Sequence, residues 1–157
     1  MMPPALITPM FGPGSRADRI VLGADWVEAA NVITDVPGLE YATVAGGVYL
    51  VQVFGFFSCN AVTTGLQWRI DSTGATGAIE CRSPSSSTAM VNRNEGVNAG
   101  TLAAGTGTGG VDGNPFWGWA LIVATGNAIK VRARSEIAVA LGVTVKAGTV
   151  MFVERVR

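Results

Sequence analysis

No histidine occurs among the 157 residues of this sequence. That absence removes Ser-His and Cys-His nucleophile pairs, imidazole general bases and nearly all zinc geometries in one step. Charge is scarce too: 14% of residues are charged, and 11 basic side chains balance 11 acidic ones to a formal net charge of zero. A nucleic acid or an anionic membrane is met by a basic patch, so neither is expected as a partner. No apolar run approaches the ~20 residues that a membrane helix needs. The longest candidates, 48–57 and 116–124, have the length of strands. Only two cysteines are present, Cys59 and Cys81, without C-x-x-C spacing. Two buried thiols in a protein made in a reducing cytoplasm are the preferred reading over a single disulfide. The opening MMPPALITPMFGPGSR has neither a basic n-region nor a continuous apolar h-region, so it does not read as a signal peptide. The carboxylates are scattered, with no D-x-D calcium loop and no spacing that suits acid/base work. No catalytic residue, cofactor or metal ligand is therefore assigned, and the chain does not read as an enzyme.

What is abundant is glycine, with 21 residues, and apolar surface, at 48%. Nine of the 11 basic residues are arginine, the type favoured at interfaces and in ion pairs. Gly105-Thr106-Gly107-Thr108-Gly109-Gly110 spells the G-x-G-x-x-G of a dinucleotide-binding turn. Such a turn works only where a buried strand ends and a helix begins, with the helix N-terminus meeting the pyrophosphate. Here the preceding NEGVNAGTLAA is no hydrophobic strand, and Pro115 biases Asn114 towards extended geometry. The motif reads as a loop.

From Arg19 onward the pattern is β. RIVLG and WVEAANVIT are branched-residue runs, a turn is expected at Val36-Pro37-Gly38, and LEYATV follows as another strand. A single helical turn is allowed around Ala24 to Asn31. In GLQWRID, Leu66, Trp68 and Ile70 face one way, with Gln67 and Arg69 opposite. IKVRARSE alternates likewise, with Ile129, Val131 and Ala133 inside and Lys130, Arg132 and Arg134 outside. The segment from Ser83 to Pro115 is a long surface loop, with at most a short strand near Thr88 to Val91, expected to be ordered by a neighbouring chain. The whole reads as all-β: one sandwich domain over 19–157, preceded by an arm at 1–18.

The run VYLVQVFGFFSC breaks the one-sided rule. Val48, Leu50, Phe54 and Phe56 lie on one face, interrupted by Gln52, while Tyr49, Val51, Val53 and Phe57 lie on the other. Around Trp117 and Trp119, and in the last strand, both faces are again apolar. A bulge at Gly55 that swaps the faces is the alternative; it explains one strand less awkwardly than three. A sheet covered twice, by its partner sheet and by another subunit, is preferred, and a homotrimeric jelly roll is the simplest form. The subunit-interface candidates are Tyr49, Val51, Val53, Phe57, Trp117 and Trp119. Trp117 and Trp119 also suit stacking on a sugar, against which stands their use in a core or interface.

Several segments together resemble a family. They are the aromatic strand from Tyr49 to Phe57, Thr64-Gly65-Leu66-Gln67-Trp68-Arg69-Ile70, the long Ser/Thr/Ala/Gly loop, Arg134-Ser135-Glu136, and Ala147-Gly148-Thr149 leading into the last strand. In this layout the chain is similar to small bacteriophage virion proteins with a trimeric, tumour-necrosis-factor-like jelly-roll domain. The resemblance covers about residues 40–156. It implies a capsid decoration or cement protein in the virion, assembled in the bacterial cytoplasm, with the major capsid protein or other virion subunits as partners. A receptor- or glycan-binding tip of a head or tail fibre is the alternative. The arm is not part of the shared pattern. Four of the seven prolines fall in it, which makes it an extended attachment segment, with Leu6, Ile7, Met10 and Phe11 as anchors for apolar grooves of neighbouring subunits. Folding back on its own sandwich is the other course open to it.

Overall fold

Alternation decides the centre of the molecule. In the computed structural model, which describes residues 17–61, 64–84, 90–97, 113–138, 140 and 142–157, Leu66, Trp68 and Ile70 are fully buried on β5 (Leu66–Asp71). Ile129, Val131 and Ala133 match them on β9 (Ile129–Ser135), paired antiparallel with β5. With β3 (Thr34–Tyr41) at its edge, this makes a three-stranded sheet in the order β3-β9-β5. Arg132 and Arg134 lie on the opposite face, half-buried, as the alternation predicts. Arg69 shares that face yet is only 2% exposed, 3.6 Å from the Asp71 carboxylate.

The larger sheet runs β1 (Asp18–Val21), β11 (Val150–Arg155), β4 (Val48–Cys59), β8 (Asn114–Val123), β6 (Thr76–Pro84) and β7 (Met90–Gly96). Short β10 (Val143–Val145) continues along β4 and pairs in turn with β2 (Trp26–Glu28). Every pairing is antiparallel. Among the described residues there is no helix. The inward faces of the two sheets enclose one core. Tyr49, Val51, Val53, Phe57, Phe116, Ile122 and Met151 of the larger sheet meet Leu66, Trp68, Ile70 and Val131 of the smaller.

Trp68 fastens that contact. Its ring meets Phe116 edge-on at 4.9 Å between centroids, and its Nε1 donates to the Arg82 carbonyl on β6 at 3.2 Å. The buried N–H is thus satisfied across the sandwich rather than left at a cost. Room for the ring comes from Gly118 on β8, where a Cβ would stand 2.8 Å from the Trp68 ring and collide with the Glu80 carbonyl oxygen.

Several expectations are corrected. Val36-Pro37-Gly38 is a bulge inside β3 and not a turn between strands. Register shifts between Asp35, opposite Arg132, and Glu40, opposite Lys130, with Gly38 at φ +81°. The excursion buries both Val36 and Leu39, and an edge strand tolerates the amide donor that proline lacks. The stretch around Ala24 to Asn31 holds β2, in line with the β reading of WVEAANVIT, and the helical turn also allowed there is not formed; β10 supplies the ladder. Within 83–115, β6 extends to Pro84, β7 occupies Met90–Gly96 and β8 starts at Asn114. The glycine run Gly105 to Gly110 lies outside the described residues.

Cys59 and Cys81 are both buried thiols. Burial, with help from the nearby Glu136 charge, pushes the Cys59 thiol up to about 12 from 9.0. The unfolded chain ionises this thiol near 9.0, so its contribution to stability is complete below that pH and fades as pH rises towards 12. Folded protein at pH 8 should leave both thiols unlabelled by an aromatic disulfide reagent, and both should react in denaturant. Stoichiometric labelling without denaturant would contradict the burial. Gly118→Ala should cost about 1–3 kcal/mol, read as a lower urea midpoint at unchanged slope.

Candidate docking face

A β-strand sends alternate side chains to opposite faces, so the burial of Tyr49, Val51, Val53 and Phe57 dictates what the other side of β4 carries. Val48, Leu50, Gln52, Phe54 and Phe56 point outward from the sandwich. Register with the neighbouring strands then builds rows across the sheet. One row runs Arg19, Phe152, Gln52, Trp119 and Glu80; the next runs Val21, Val150, Phe54, Trp117 and Arg82. Leu50 stands opposite Leu121, and Val48 opposite Val123. Phe56 is 55% exposed and Leu121 45%. The outer side of the larger sheet is therefore apolar over β4, β8 and the Val150 and Phe152 positions of β11, with Glu154 of β11 standing beside Leu50, on a surface where an antiparallel sheet ordinarily shows polar residues to water.

The faces are opposite to the sequence expectation. Tyr49, Val51, Val53 and Phe57 were expected at a subunit interface, but each is 0–1% exposed and packed inside its own sandwich. Even the Tyr49 hydroxyl is used internally, accepting from the Val44 amide at 2.9 Å. The correction has a steric cause. On the inward side, Gly55 and Gly118 make way for large rings from elsewhere in the chain; a Cβ at Gly55 would lie 2.7 Å from the Phe116 ring. The bulge considered at Gly55 is not there: β4 and β8 keep one register from Val48 opposite Val123 to Phe57 opposite Asn114. Trp117 and Trp119 do lie on the outer face, half-buried. Leu50, Phe54, Phe56, Leu121 and Phe152 join them there, and these were not among the candidates. The usable signal was Gln52, a polar residue midway along one face of β4.

Polar groups pin the two indoles. Trp119 Nε1 donates to Glu80 Oε2 at 2.8 Å, and Arg82 Nε donates to Glu80 Oε1 at 2.7 Å. The Arg82 guanidinium also sits 5.9 Å from the Trp117 ring centroid, a cation–π arrangement. Both rings are thereby held in place on the outer face by neighbours within the same sheet. Gln52 is 4% exposed, and its Oε1 has no hydrogen-bond partner among the described residues. At one end of the face, where residues 146–149 separate β10 from β11, a cleft of about 380 Å³ opens between Phe54, Phe56, Pro115, Trp117 and Val150.

The outer side of the smaller sheet has the opposite character. Asp35 pairs with Lys130 at 2.6 Å and with Arg132 at 2.9 Å, while Arg132 also reaches Asp71 at 3.3 Å. The Asp35 hydrogen bond raises the Lys130 ammonium above its ordinary range, keeping it charged. These partly exposed pairs form a solvated face. Leu6, Ile7, Met10 and Phe11, expected to attach the arm, lie outside the described residues. Compared with known proteins, the chain matches no family model, no curated protein and no solved structure.

Phe56 and Phe57 are adjacent in sequence and opposite in role. Phe57→Ala should cost about 3–5 kcal/mol. Phe56→Ala, measured at low protein concentration, should stay within about 0.5 kcal/mol. Parallel urea melts check this, and equal losses would mean that the face assignment is wrong.

Proposed function

We propose that this chain is a structural assembly protein, a homotrimer whose subunits associate through the apolar outer face of the larger sheet. The observation that carries the reading is the contrast between the two outward faces, one ion-paired and one studded with Phe54, Phe56, Trp117, Leu121 and Phe152. Strands spaced about 4.8 Å apart and rising about 3.4 Å per residue give the apolar rows roughly 500 Å² of flat area. That is near the top of what a monomer exposes, and side-chain relief brings it towards the ~800 Å² per partner of a standard interface.

Jelly-roll wrapping is supported by the nested pairing of early strands with late ones: β1 with β11, β3 with β9, β4 with β8. The departure is β6, which pairs with β8 instead of closing against β5. With the resemblance to small phage virion proteins, this supports decoration or cementing of a capsid as the setting, with the major capsid protein as the second partner. A receptor- or glycan-binding tip is the second reading. It is favoured by one observation: two half-exposed indoles flank the Glu80–Arg82 pair, the combination of stacking platform and hydrogen-bonding groups that a sugar needs.

Sedimentation should give a species of three times the 16.2 kDa chain mass. Leu121→Asp combined with Phe56→Asp should reduce it to one chain with unchanged far-ultraviolet circular dichroism. A wild-type protein that sediments as one chain would overturn the assembly reading. Trp117→Ala with Trp119→Ala separates the alternatives, since loss of carbohydrate binding with the trimer intact favours the tip and loss of the trimer favours the interface. Virus particles purified from cells carrying this gene should contain the chain in multiples of three copies. Its absence from them would overturn the capsid setting.

A further inference from the structure

The cleft at the end of the docking face has a chemistry narrower than the face itself. Phe54, Phe56, Trp117 and Val150 supply rings and a branched side chain, Pro115 forms part of the rim, and Gly148 leaves one side open. None of these side chains carries a charge. Aromatic-walled grooves of this kind take extended, proline-containing segments, which arrive already restricted and lose little entropy on docking. One segment of this chain answers that description. Residues 1–16 hold Pro3, Pro4, Pro9 and Pro13 among Leu6, Ile7, Met10 and Phe11, with no charged side chain before Arg16.

We propose that the cleft receives the proline-rich arm of a second copy of the chain, with Phe11 or its apolar neighbours seated against Trp117. The inference rests on the self-association proposed above and adds a specific exchange to it. Chain direction favours a neighbour over the same chain. On β1, Asp18 stands opposite Val153 and Val21 opposite Val150. Val150 lines the cleft, so the chain preceding Asp18 leaves the sheet at the end away from it. An extended arm of this length reaches about 50 Å, enough to cross a subunit boundary, whereas docking on its own cleft demands a reversal over the face. Exchange between copies also makes every subunit both donor and acceptor, the arrangement that closes a symmetric ring.

The test keeps the full chain and introduces one cysteine in the arm and one at the cleft. Phe11→Cys is combined with Phe56→Cys, or with Pro115→Cys in case loss of the aromatic ring disturbs the sheet. Native Cys59 and Cys81 are buried and contribute no background. Under copper–phenanthroline oxidation, either pair should yield covalently linked chains on a non-reducing denaturing gel. Phe11→Cys with Val44→Cys, an exposed position beyond the opposite end of the face, should yield far fewer. Disulfides formed only within single chains, no disulfide with either cleft position, or equal linking from Val44 would each overturn the exchange. Sedimentation of the reduced proteins separates the two proposals. A trimer that fails to cross-link removes the arm exchange and leaves the interface standing, while a protein that sediments as a single chain removes both.

Discussion

Everything in this fold depends on how one indole is accommodated between two sheets. Trp68 belongs to the smaller sheet, but its N–H is satisfied by the backbone of the larger one. Its ring occupies space that Gly118 vacates and Phe116 borders. The hydrogen bond fixes the sheets' relative position, because an indole N–H moved away from the Arg82 carbonyl is left buried without an acceptor. Once that position is set, β6 and β8 cannot slide against β5. The outward residues Glu80, Arg82, Trp117 and Trp119 are then placed as a consequence, since Trp117 and Trp119 alternate with the Phe116 and Gly118 that border the indole and stand opposite Arg82 and Glu80. The apolar outer face is the reverse side of the core.

That relation explains why the strongest feature of the sequence was visible and yet misassigned. Two-sided apolar strands stood out at Val48–Cys59, and the expectation of a second covering surface followed from them. Which side faced inward was not decided by β4 alone. It depended on rings arriving from β5 and β8, and on glycines whose purpose is clear only when those rings are present. Gln52 carried part of the answer, although its burial shows that one polar residue amid large aromatics is a weak marker of exposure.

Elsewhere the division follows the same physics. β5 and β9 were legible in detail, because each pairs regularly and covers a core on one side. The β3 bulge was not, because proline and glycine in succession signal a turn locally, and only the register against β9 shows the chain continuing. β2 lies in a run legible as β, but it is confined to Trp26–Glu28, where β10 offers an edge. β7 was legible only as a short strand near Thr88 to Val91; it runs over Met90–Gly96, where β6 provides its ladder. Local propensity described strands that form their own amphipathic pattern, and it failed where a neighbour imposes the conformation.

The position of β11 has a consequence for how the protein reaches this state. Among the described strands the last in chain order is inserted between β1, the first, and β4, so Asp18 waits for Val153 before it has a partner. A chain emerging from the ribosome therefore holds this edge of β4 unpaired while the residues between Cys59 and Val143 are made, with Phe54 and Phe56 beside that open edge. Pairings this distant in sequence slow folding, and exposed strand edges invite association with the wrong chain.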